Sequence, residues 1–203
     1  MKLKKSVKRV LIIAIILILS GVGFLFYEEF KPKEAKRVKV VNEIKEYGYT
    51  LKDNKSARYK KMFQELKDIL SKKEVDEEAY VKKISEMFIL DFYTLNDKLA
   101  NTDIGGTDFV NSNSKANFLN KAEDTMYKYV ESNIYGNRKQ SLPVVDEITI
   151  KDVQKIDYAL LDNNVEAYQV DVSWTYKKDM DYQDKATLIF VHEDKVLSLV
   201  EIK

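Results

Sequence analysis

The sequence predicts an α+β fold: about three helices packed on a curved antiparallel sheet of about four strands, preceded by an N-terminal transmembrane helix. Three observations lead there. An uncharged apolar run fills residues 10–27. Apolar residues recur at helical spacing between Tyr59 and Val130, and beyond Pro143 the apolar period falls from about 3.6 residues to about 2, the repeat of a strand.

The run lies between Arg9 and Glu28 and holds 18 residues without a charge, VLIIAIILILSGVGFLFY. At a rise of about 1.5 Å per residue this is the shortest length that crosses a hydrocarbon layer of roughly 30 Å. Lys2, Lys4, Lys5, Lys8 and Arg9 precede it with no acid among them, whereas Glu28, Glu29 and Glu34 follow it mixed with lysines. That bias places the N-terminus in the cytoplasm and everything after residue 27 outside the cell membrane. Phe24, Phe26, Tyr27 and Phe30 stand where an aromatic belt meets the outer interface. A cleaved signal peptide is the competing reading, with Gly21-Val22-Gly23 before the cut. It lacks an A-x-A-like site, and Phe24-Leu25-Phe26 continues the apolar run past it. The expected layout is a cytoplasmic tail at 1–9, a transmembrane helix at 10–27, a stalk or linker at 28–54 and an extracytoplasmic α+β domain at 55–203.

The remaining length makes one ordinary domain. Hydrophobic residues at 45% and charged residues at 33%, with only two prolines and six glycines, are the balance of a folded globular chain. Cysteine is absent, so disulfides, thiolate nucleophiles, thiolate metal sites and a lipid-attachment cysteine are excluded. The whole chain has a formal net charge of +1; with five cations before the apolar run, residues 10–203 carry −4. Lysines and acids alternate there, so the basic footprint of a nucleic-acid-binding surface is missing. Abundant Lys, Ile, Asn, Asp and Tyr with little Pro or Gly suggest an AT-rich bacterial genome.

In the domain, Asp53-Asn54 offers a turn and a cap. Tyr59, Met62, Phe63, Leu66, Ile69 and Leu70 then form the stripe of a first helix. Ser71-x-x-Glu74 or Asp76 opens a second, whose stripe is Tyr80, Ile84, Met87, Phe88, Asp91, Phe92 and Leu95. A loop around Ile104-Gly105-Gly106 leads to a third helix, capped by Asn113 or Ser114. Its stripe is Phe118, Ala122, Met126, Tyr129 and Val130, and it is expected to end near Asn133–Gly136. Val144 to Leu160 reads as one long strand with a bulge near Asp152-Val153. Asp162-Asn163-Asn164 turns the chain into a second strand, where Tyr168, Val170, Val172, Trp174 and Tyr176 alternate with polar residues. Ala186–Val191 and Val196–Ile202 form a closing hairpin across His192–Lys195.

This element order behind an N-terminal anchor resembles the nuclear-transport-factor-like cone fold (cystatin-like) used in bitopic membrane proteins. The inner-membrane scaffold of type IV secretion and its relatives in Gram-positive conjugation are examples. The resemblance covers roughly residues 59–203 and implies a non-enzymatic assembly module of the bacterial envelope. Its partners would be the membrane, through residues 10–27, and envelope proteins or the chain itself.

Asp91 is the residue that stands out, because its stripe position buries a carboxylate that needs a partner. Cone-fold enzymes suggest a general base in an apolar pocket, helped by Tyr93, Tyr127 or Tyr129. The structural alternative pairs Asp91 with Arg138 or with backbone groups of the Gly105-Gly106 loop. His192 is the only histidine, which excludes a Ser-His-Asp triad or a two-histidine metal site within one chain; at a hairpin edge it reads as an exposed turn residue. Asp103, Asp108, Asp179, Asp181 and Asp184 lack calcium-loop spacing, and Gly105-Gly106 lacks the context of a nucleotide loop. Trp174 falls on the apolar face of its strand and reads as core. No catalytic residue beyond the candidate Asp91, no metal or cofactor, no known small molecule and no nucleic-acid partner is expected; the alternative function is a small-molecule-binding or enzymatic cone-fold domain with Asp91 in an apolar pocket.

Overall fold

A computed structural model describes residues 38–160 and 163–203. The expected tail, membrane run and cleavage segment, the stalk up to residue 37, and Asp162 of the expected turn lie outside the described residues. Among the described residues no helix is long and apolar enough to cross a membrane.

The helices begin where a side chain can satisfy a free backbone N–H. Ser56 Oγ accepts the Tyr59 N–H at 3.1 Å and opens α1 (Ala57–Leu70). The cap expected at Asp53-Asn54 comes too early, because Asp53 Oδ1 accepts the Lys39 N–H. Asp76 Oδ1 accepts the Ala79 N–H at 3.0 Å and opens α2 (Glu77–Tyr93), while Ser71 closes α1. Helix α2 is central: every residue from Met87 to Tyr93 is buried. Helix α3 (Lys115–Asp124) follows Ser114.

The third helix corrects the sequence expectation. It stops at Asp124, well short of Asn133–Gly136, and the helical stripe through Tyr129 does not form. Tyr127, which that stripe omitted, is fully buried, and its hydroxyl donates to the Phe92 carbonyl at 2.7 Å and accepts the Gly105 N–H at 3.0 Å. Bringing this ring inward breaks the helical path, and Tyr129 is left 76% exposed.

A second difference lies in the segment assigned to the stalk. Residues 40–52 form an antiparallel hairpin of β1 (Val40–Ile44) and β2 (Tyr49–Lys52), turned by Gly48 at φ 72°. Ile44, Tyr49 and Leu51 join the main core, and the Tyr49 and Tyr80 hydroxyls share a 2.6 Å hydrogen bond. Lysine and glutamate density suggested a spacer; the period-2 pattern of Tyr49 and Leu51 was the opposing signal.

Strands β3 (Val145–Leu160), β4 (Asn163–Tyr176), β5 (Lys185–Glu193) and β6 (Val196–Ile202) form one antiparallel meander in that order. The long first strand and its irregularity between Ile150 and Asp152 follow the sequence expectation. Asn163 and Asn164, expected to turn, already pair with Leu160 and Ala159. On one face of the sheet Tyr168, Val170, Val172 and Trp174 meet Leu188, Phe190, Leu197 and Leu199 and the three helices in a single core. Burial of a side chain such as Leu66, which is fully enclosed, contributes roughly 2 kcal/mol.

Candidate functional site

Asp91 lies in the last turn of α2, where the helix is apolar on all sides, and it is 7% exposed. Its carboxylate is fully engaged. Oδ1 accepts from Lys55 Nζ at 2.5 Å and from Lys98 Nζ at 3.0 Å, and Oδ2 accepts the Gly106 N–H at 2.8 Å. Lys98 is itself only 2% exposed and also reaches Asp97 Oδ1 at 2.6 Å. Two acids therefore face two lysines, with Asp91 and Lys98 enclosed and Asp97 at the edge, 34% exposed.

Burial alone would raise the pKa of Asp91, but the charges of Lys98 and Lys55 and the Gly106 N–H hold it well below the ordinary carboxylate range. The same balance acts on Lys98: burial would lower its pKa, and Asp91 with Asp97 raise it above that of an ordinary lysine. The pair stays ionised across physiological pH. A carboxylate with so little basicity, held by two lysines and a backbone N–H, is a clamp; proton abstraction needs a pKa near the working pH.

The clamp ties four chain segments together: the approach to α1 through Lys55, the end of α2, the loop holding Lys98, and the two-glycine loop. The glycines are required by contact. A Cβ on Gly105 would stand 2.2 Å from the Asp91 carbonyl oxygen, and one on Gly106 would stand 2.6 Å from the Phe88 ring, at a backbone φ of 72°. Tyr127 holds the other side of the loop through its bonds to Gly105 and Phe92.

Of the partners named from sequence for Asp91, the glycine loop is in contact and Arg138 is not. Arg138 instead donates to the carbonyls of Asn96, Lys98 and Glu131, bracing the loop that carries Lys98. Tyr127 is beside the site without touching the carboxylate, Tyr93 packs on Trp174 at 4.3 Å between ring centres, and Tyr129 is exposed. Lys55 and Lys98 escaped sequence reasoning, since neither interrupts an apolar stripe. The one available signal was the demand of Asp91 itself for a nearby cation, and Lys98 follows seven residues later.

His192 is exposed on β5, with Nε2 3.3 Å from Glu77 Oε2. Trp174 is 4% exposed within the core. Asp103 accepts the Leu99 N–H, Asp108 accepts from Thr50, and Asp179 accepts the Asp181 N–H. Among the described residues no three acids or histidines stand close enough to share a metal ion.

A pocket of about 320 Å³ opens beside the clamp, lined by Lys55, Arg58, Asp91, Asp97, Asp146 and Lys177 among others. A larger groove of about 430 Å³ lies between α3 and β6, and Asp91 does not reach it. No protein-family model, curated protein or solved structure matches this chain.

Proposed function

We propose that this chain is a single-pass membrane protein whose α+β domain stands outside the cytoplasm as a non-enzymatic binding or assembly module that docks another protein of the bacterial envelope. The anchoring rests on the uncharged run at 10–27 and the cations before it.

The binding role rests on one observation, the sheet face turned away from the helices. There Ala167, Ile189 and Val191 are buried among Ile156, Tyr158, Leu160, Val165 and Val200, and every one of these residues comes from a strand. Ile156 pairs with Ala167, Tyr158 with Val165, and Ala167 with Val191, so the stripe is continuous across β3, β4 and β5. An antiparallel sheet with one solvated face ordinarily presents polar residues there, and a contiguous apolar stripe marks an interaction surface. Here Ala167, Ile189 and Val191 are at most 2% exposed, so the part a partner reaches is the half-buried rim of Ile156, Tyr158, Leu160, Val165 and Val200. The element order also supports the cone-like reading, and with it the sharper version in which the partner belongs to a secretion or conjugation apparatus.

The experiment has two parts. The chain should sediment with membranes, and protease added outside intact cells should digest the domain; a protected or freely soluble domain would overturn the anchoring. Val165→Asp on this face should abolish recovery of a discrete crosslinked partner while the domain still unfolds cooperatively, with Val165→Ala at the same half-buried position as a milder variant that weakens recovery. Unchanged recovery would remove this face from the account, and a crosslink only to a second copy would replace the heterologous partner with self-assembly.

A further inference from the structure

The groove between α3 and β6 holds chemistry that the docking role does not use. Its walls include Phe92 and Phe118, whose ring centres are 5.2 Å apart, with Met126 and Leu199. At about 430 Å³ it falls in the range of roughly 300–1,000 Å³ typical of small-molecule sites, which are mostly apolar with a few polar groups.

One cation in this lining, the exposed Lys121, has no ion-pair partner among the described residues. The acid in the lining, Glu201, is already engaged by Lys203 at 3.2 Å and by the Tyr158 hydroxyl at 3.1 Å. The groove therefore combines an apolar body with one unpaired ammonium at its rim, which favours an anionic head group over a cationic one.

We propose that the groove binds a single-chain fatty acid, its hydrocarbon against Phe92, Phe118, Met126 and Leu199 and its carboxylate on Lys121. The ligand is identified by this complementarity: an aromatic and aliphatic trough suits an acyl chain, and one free ammonium suits one carboxylate. The inference is independent of the docking role, since it needs neither an envelope partner nor the open sheet face.

The test uses the full chain in phosphatidylcholine vesicles, labelled with a diazirine-bearing dodecanoate and mapped by peptide mass spectrometry. Adducts are expected on the α3 and β6 segments, removed by excess dodecanoate and persisting under equal dodecanol. Lys121→Glu should lower this labelling about tenfold, the factor equivalent to one lost charge contact. Lys128→Glu, an exposed lysine outside the groove, should leave it unchanged. Met126→Trp, which fills the trough without altering charge, should lower it as well. Labelling spread evenly over the domain, equal labelling in Lys121→Glu and the unsubstituted chain, or equal competition by dodecanol would each overturn the proposal.

Discussion

Replacing Asp91 by asparagine isolates the charge of the clamp, because the amide oxygen can still accept the Gly106 N–H while the anion facing Lys55 and Lys98 is lost. Lys98, 2% exposed, then keeps only Asp97, whose side chain is 34% exposed. Removing one member of a buried ion pair costs about 3–5 kcal/mol, chiefly because the other charge stays buried without compensation. For a domain of this size that lowers the melting temperature by roughly 10 °C, at about 2–4 °C per kcal/mol. Trp174, the only tryptophan and 4% exposed, reports unfolding in urea by fluorescence from the compact unit Lys36–Lys203. Adding Lys98→Met to Asp91→Asn should restore more than half of the loss, since the double variant no longer buries an unpaired ammonium. A single variant within about 1 kcal/mol of the unsubstituted domain, or a double variant whose loss is the simple sum, would refute the clamp.

Gly105→Ala should destabilise the same unit by about 3 kcal/mol or prevent folding, because the added methyl meets the Asp91 carbonyl at 2.2 Å; thermal unfolding checks it. Tyr127→Phe should cost about 2 kcal/mol through loss of its bonds to Phe92 and Gly105, while Tyr129→Phe should change the urea midpoint by less than about 0.5 kcal/mol. In acid, the depressed pKa of Asp91 means that its stabilisation is full above its ordinary value of 3.8 and is lost as pH falls through the folded value. Urea titrations at descending pH should therefore show a shallower decline for Asp91→Asn than for the unsubstituted domain. In alkali, burial pushes Tyr80 up to about 12 from an ordinary 10.0, so its stabilisation is full below that ordinary value and disappears as pH rises toward the folded one. Tyrosinate absorbance at 295 nm should lag behind that of free tyrosine over this window (an interval set by the tyrosine pKa of about 10).

The helices and the meander were legible because each carries a periodic apolar face. Tyr168 to Tyr176 alternate cleanly, and in the preceding strand a slip near Asp152-Val153 was visible as a break in alternation, which the structure places between Ile150 and Asp152. The end of α3 was not legible, since Met126, Tyr129 and Val130 keep helical spacing and only tertiary contacts of Tyr127 with Phe92 and Gly105 decide against it. The hairpin at 40–52 was masked by its lysines and glutamates, although Tyr49 is among the most enclosed residues. At the clamp, the burial of Asp91 followed from its position on the helical stripe. The backbone of the Gly105-Gly106 loop was foreseen as a partner, but the two lysines were not, because Lys55 and Lys98 come from loops, where sequence spacing carries no directional information.

The central claim, that the open sheet face is a docking surface at the membrane, is tested most directly by site-specific photocrosslinking in intact membranes of the source organism. A photoreactive residue is placed at Tyr158 on that face or at Gln64 on the exposed side of α1. The account expects a discrete adduct to another envelope protein from position 158 and none from position 64. No adduct from position 158, or the same adducts from both positions, would contradict it.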